Sequence, residues 1–224
     1  MRSSWPSSRL VRQLGDGIPV DAQAPGMDFA ERLSLWLNAF DAIGLQAAQQ
    51  AIRSIATAAN AKPAARSPRA EGIAEEVQQV RSILARAIAQ DFLAVAAPDG
   101  DGAADRGYAP FHQRHQELQR QMEQMVGALR DHVRQALGRV SPRLRQLAAL
   151  DASMEQLLAQ REQALLASAP LLLRRRFAQL RADDVAAQTF LGDWREALLA
   201  ELDLRLEPVV GLLAALRNEA QHRR

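Results

Sequence analysis

The chain has 224 residues, 48% hydrophobic but only 4% aromatic, and it contains no cysteine. That length can bury a core without staples, and the absence of thiols excludes disulfides, thiolate zinc sites, iron–sulfur clusters and a cysteine nucleophile. Its 28 basic and 26 acidic side chains leave a formal charge of +2, too small for a strong phosphate-seeking field.

The pI of about 9.8 does not change this, because Lys62 is the only lysine and Tyr108 the only tyrosine, so little titrates between neutrality and the arginine range. Ala, Leu, Arg, Gln and Glu favour helices, and the residues suited to pleated strands are scarce. The opening MRSSWPSSRLVRQLGDG has no apolar signal region, and no run of about 18 apolar residues follows. The expectation is a cytoplasmic protein with no membrane span.

Residues 1–27, with Pro6, Gly15, Gly17, Pro19, Pro25 and Gly26, read as an irregular N-terminal arm with one short helical possibility from Ser7 to Leu14. Asp28 and Glu31 form a capping box ahead of Phe29, Leu33, Trp36, Phe40, Ile43 and Ala47, which predicts a helical segment over 28–60 that Gly44 can kink. The stretch 61–72, AKPAARSPRAEG, reads as a linker.

A helical bundle over 73–217 follows. Ile73, Val77, Val80, Leu84, Ile88, Phe92 and Val95 share one face of its first helix, which Pro98 and the DGDGAADRG loop end. The next helix should start near Pro110, with a heptad-like seam of Phe111, His115, Leu118, Met122, Met125, Leu129, His132 and Ala136. After Ser141-Pro142, Leu147, Leu150, Met154, Leu157 and Ala164 continue the rhythm, with Arg161 interrupting it. Pro170 should kink or end that helix. LLLRRRFAQLR gives another helical piece, broken at 182–184.

The last helix carries the most regular seam, Leu199, Leu202, Leu206, Val209, Leu213 and Leu216, and these six are the candidate interaction residues. The alternation from Leu202 to Glu207 also suits a strand, but Pro208 and the helical flanks favour a helix. Residues 218–224 read as a fraying tail. The fold class expected is all-α, an elongated antiparallel helical bundle with coiled-coil-like long helices.

The segments DFAERLSLWLNAFDAIGLQAA (28–48), SPRLRQLAALDASMEQLLAQREQALLA (141–167) and WREALLAELDLRLEPVVGLLAAL (194–216) resemble a proteobacterial family, domain of unknown function 3348. The resemblance implies no activity and no functional residues. The resemblance further implies that members are often encoded beside envelope proteins similar to ion-driven motor and stator components. That implies a cytoplasmic accessory role at an envelope-associated assembly.

Other candidate sites compare poorly with packing alternatives. His112 and His115 stand three apart with Glu117 nearby, but a metal needs a further ligand and His132 is far along the helix, so core packing is preferred. Glu219 and His222 make one Glu-x-x-His where di-iron bundles use two. Arg174, Arg175 and Arg176 fan around a helix, with Arg181, Asp183 and Asp184 nearby, and read as salt-bridged or solvated. Trp36, Trp194, Met122, Met125 and Met154 read as packing residues.

No catalytic motif is present, so an enzyme is not expected and no cofactor or metal is implied. The reading is a helical interaction or adaptor protein whose partner is another protein, or a second copy, engaged through helices. The alternative is weak, arginine-mediated nucleic-acid binding; sequence-specific recognition is not expected, and no small-molecule ligand is named.

Overall fold

The computed structural model describes residues 9–10, 39–57, 70–96, 108–182 and 187–222; for 39–40, 56–57, 91–96, 181–182 and 187–188 it describes backbone alone. The capping box at Asp28 and Glu31, the apolar series through Trp36, nearly all of the arm, most of the linker, the 98–107 loop and the 183–184 break lie outside these residues.

Six helices make up the described chain: α1 (Ala39–Thr57), α2 (Ala70–Ala96), α3 (Ala109–Gly138), α4 (Pro142–Leu166), α5 (Ala169–Ala182) and α6 (Ala187–His222). No described residue is in a strand, and the protein is an all-α helical bundle. α2 starts at Ala70 and α6 ends at His222, so parts of the 61–72 and 218–224 segments belong to helices.

Local chemistry explains the breaks. Ser141 Oγ accepts the Leu144 N–H at 3.2 Å, capping α4, whose first residue is the tolerated Pro142. The Arg145 guanidinium donates to the Gly138 carbonyl at 2.9 and 3.0 Å, satisfying an orphan acceptor at the end of α3. Pro170 sits in the first turn of α5 after α4 has ended at Leu166, so the proline ends one helix and opens the next. Pro208 lies inside α6 without ending it, and the Leu202–Glu207 alternation is helical. α1 passes through Gly44 unbroken.

Chain contacts divide the molecule into two compact units, one of Met1–Val20, Val77–Ala128 and Ala164–Glu207, the other of Asp21–Glu76, Leu129–Gln163 and Pro208–Arg224. The first buries Val77, Leu84, Ile88, Leu118, Met122, Phe190, Trp194, Leu198 and Leu202. The second buries Ile73, Leu129, Val133, Leu137, Leu144, Val209, Leu213 and Leu216.

Burial along the long helices follows the straight α-helical period. On α3 the covered face runs His115, Leu118, Met122, Val126, Leu129, Val133, whereas Met125 is half-buried and His132 exposed. On α6, Leu198 replaces Leu199 on the buried face. A heptad repeat drifts by about 20° per seven residues against a 3.6-residue helix, which moves the stripe by one position over the helix length.

Candidate functional site

Three arrangements hold the chemistry-bearing side chains. In the first unit, Glu201 on α6 is fully buried, and so is His115 on α3. Gln119, one turn after His115, donates from Nε2 to both Glu201 oxygens at 2.9 and 3.1 Å and to the Leu166 carbonyl at 3.2 Å. Arg205, one turn after Glu201, reaches Glu201 Oε1 from Nε at 3.0 Å and from a terminal nitrogen at 2.9 Å. His115 Nε2 stands 3.5 Å from Glu201 Oε2, an ion-pair distance when the imidazole is protonated but not an aligned hydrogen bond.

Burial pushes the Glu201 carboxyl up. The His115 contact, the Arg205 charge and the Gln119 N–H outweigh it, and the carboxyl is held below the usual carboxylate range. Next to this cluster lie the rings of Tyr108, Phe111, Phe177, Phe190 and Trp194; Phe190 meets Tyr108, Phe111 and Phe177 edge to face, with Phe111 and Phe190 5.0 Å apart and perpendicular, while Tyr108 and Phe111 stack. Tyr108 donates its hydroxyl to the Pro170 carbonyl at 2.6 Å, and burial raises its pKa above the ordinary phenol value against the opposing charge of Arg174.

In the second unit, Arg130 and Arg134 are one turn apart on α3 and face Asp151 and Glu155, one turn apart on α4. Arg130 grips Asp151 through two bonds of 2.7 and 2.8 Å and reaches Glu155 at 3.1 Å. Arg134 donates Nε to Asp151 at 2.7 Å and meets Glu155 at 2.7 Å and Asp131 at 2.9 Å. Its remaining nitrogen is 2.7 Å from Asp151 without hydrogen-bond alignment. Burial raises the Asp151 carboxyl, and the two guanidinium groups more than reverse this, holding it below its usual range.

The third arrangement is the layer formed by α1 and α4. Asp41 is 4.0 Å from Arg161, a Cβ at Gly44 would stand 3.9 Å from Leu157 Cδ2, and Gln146 donates to the Ile52 carbonyl at 3.0 Å. As the residue numbers rise on α1 they fall on α4, so the two helices run antiparallel. The covered stripe of α1 is Asp41, Leu45, Ala48, Ile52 and Ile55, every member of it only half-buried. Ile43 is 64% exposed and Ala47 is exposed, correcting the series that placed both on the core face. α4 has no buried residue between Ala148 and Leu166: Met154, Leu157 and Leu158 are half-covered and Leu150 is 43% exposed.

Of the six candidate interaction residues, Leu202, Leu206, Val209, Leu213 and Leu216 are buried within the chain and Leu199 is half-buried. They are packing residues of the bundle's own core. His112 lies half-buried against Tyr108, at a ring distance of 6.1 Å, and His132 approaches Glu76 at 3.3 Å on the surface. His222 Nδ1 is 2.7 Å from the Asn218 carbonyl. Among the described residues no three His, Asp or Glu side chains are placed to hold one ion.

Arg174 and Arg175 are exposed, and Arg176 pairs with Asp193 at 2.9 Å, so the three diverge. Trp194 is fully buried; Met122 is buried, while Met125 and Met154 are half-buried. The Glu201 cluster was missed by heptad reasoning, although Trp194, Leu198, Glu201 and Arg205 stand at four- and three-residue steps that would have put the carboxylate on an inward face.

These features define an all-α protein of packed long helices, in which no described helix is long and apolar enough to cross a membrane. Residues 1–218 match the family described as "Protein of unknown function (DUF3348)", and the chain belongs to that family. No curated protein and no solved structure matches it significantly.

Proposed function

We propose that this chain is a cytoplasmic interaction protein, an adaptor that holds a helix of another protein on the apolar face of α4. The observation that carries this reading is the half-covered apolar face of α4, where Leu150, Met154, Leu157 and Leu158 remain partly open while equivalent side chains elsewhere are sealed. Helix-in-groove recognition uses apolar anchors at such three- and four-residue spacing.

The arginines favour this reading over phosphate binding. Arg9, Arg81, Arg130, Arg134, Arg161, Arg176 and Arg205 all face carboxylates of the same chain. A guanidinium engaged this way contributes little to a field aimed at phosphate.

The test is recovery of bound protein from the native host by the tagged chain and by a Leu150→Asp variant. Leu150 is already part-exposed, so the variant should stay folded by circular dichroism yet lose the bound protein. Equal recovery by both chains, or binding that falls steeply with salt and follows added nucleic acid, would contradict the reading.

A further inference from the structure

The α4 face already has an occupant. α1 lies along it with a regular stripe, Asp41, Leu45, Ala48, Ile52 and Ile55, but none of its described side chains is buried. Its ties to α4 include a 4.0 Å ion pair from Asp41 to Arg161 and a side-chain bond from Gln146 to the Ile52 carbonyl. Partly exposed ion pairs of this kind contribute little, and a helix with few buried apolar contacts belongs to the least stable part of a fold. α1 is also nearly uncharged, with Asp41 its one acid and Arg53 its one base.

We infer that α1 is a displaceable occupant of the α4 face, and that the partner this face fits is an amphipathic helix of the same chemistry. Such a helix carries small or apolar side chains at the 45/48/52/55 spacing, an acidic residue in its first turn to meet Arg161, and few other charges. This rests on the adaptor reading above and adds its regulation, since a partner binds only as α1 leaves. The chain thereby selects against short or charged helices, which cannot outcompete a covalently attached one.

The test uses the full chain and a fluorescent synthetic peptide of residues 39–57, followed by anisotropy. The chain has no cysteine, so a Gly44→Cys/Leu157→Cys pair would carry its only thiols and can be bridged by a short bifunctional reagent. The unbridged pair variant should bind the peptide and lose that binding once bridged, while a scrambled peptide binds neither form. Ile52→Asp, which weakens the resident helix, should tighten peptide binding to the otherwise unaltered chain.

Equal binding to bridged and unbridged forms, or no binding even to the Ile52→Asp chain, would overturn the inference. The two readings fail separately. Peptide exchange with no effect of Leu150→Asp on host-protein recovery keeps α1 displaceable and removes the adaptor reading. Loss of the host protein without peptide exchange does the reverse.

Discussion

Around Trp194 and Glu201 the chain covers α6 on most of its sides, sealing even a carboxylate and an imidazole from water, whereas none of the described side chains of α1 and of the middle of α4 is buried. Both regions draw on Leu, Ala, Gln and acid–arginine pairs, and the first adds aromatic rings. Coverage separates them. A sealed polar cluster stays intact only while every partner is in place, so it fixes how α3 and α6 meet. An open layer has less to lose when one helix leaves, and that suits exchange.

The largest expected effect comes from Leu202, fully buried on α6. Leu202→Asp places an unpaired charge in the core and should abolish the cooperative urea transition; Leu202→Ala should cost about 2–5 kcal/mol. A Leu202→Asp chain with a normal transition would remove the distinction between the regions.

Next in size is Glu201→Ala, which leaves Arg205 without its carboxylate and the Gln119 amide with the Leu166 carbonyl alone, and should cost about 3–5 kcal/mol. The same carboxylate gives a pH signature. Its folded pKa lies below the unfolded value, so its contribution is fully present above about pH 4.3 and is lost as pH falls through the folded pKa. Glu201→Gln should therefore flatten part of the acid limb of stability against pH. An unchanged limb would show that the cluster is not coupled to folding.

Asp151→Ala breaks the Arg130 and Arg134 clamp, which is less deeply buried, and should cost about 1.5–3 kcal/mol by the worth of hydrogen bonds to charged groups. Smallest is Ile43→Ser, at an exposed position of α1, which should move stability by no more than about 0.5 kcal/mol in a thermal melt. A drop of several kilocalories there would mean that α1 is sealed after all.

Helices were legible because their apolar spacing is set by the backbone, and the four- and three-residue steps placed α2, α3 and α6 correctly. Their faces were read less well. A seven-residue template assigned Leu199, Met125 and His132 to the core in place of Leu198, Val126 and Val133, because it ignores the drift of a straight helix.

Burial of Glu201 was hidden for another reason. A charged residue counts as outward in any hydrophobic pattern, and its counter-charges come from Arg205 on the same helix and from contacts on α3 that sequence spacing does not connect. On α1, Ile43 was the more hydrophobic choice, yet Leu45, Ala48 and Ile52 are the half-covered residues. Which stripe is covered depends on the docking of Gly44 against Leu157, a long-range contact.

Native-state hydrogen exchange tests the difference in coverage most directly, by following amides of α1 beside those of α3 and α6 over rising urea. The account predicts that α1 amides exchange through a local opening with a free energy well below that of global unfolding and little dependence on urea, while the slowest amides near Leu118 and Leu202 exchange only with the whole fold. If the slowest α1 amides merged with the global unfolding isotherm, α1 would be an integral part of the core, and the claim that it can yield its place on α4 would be contradicted.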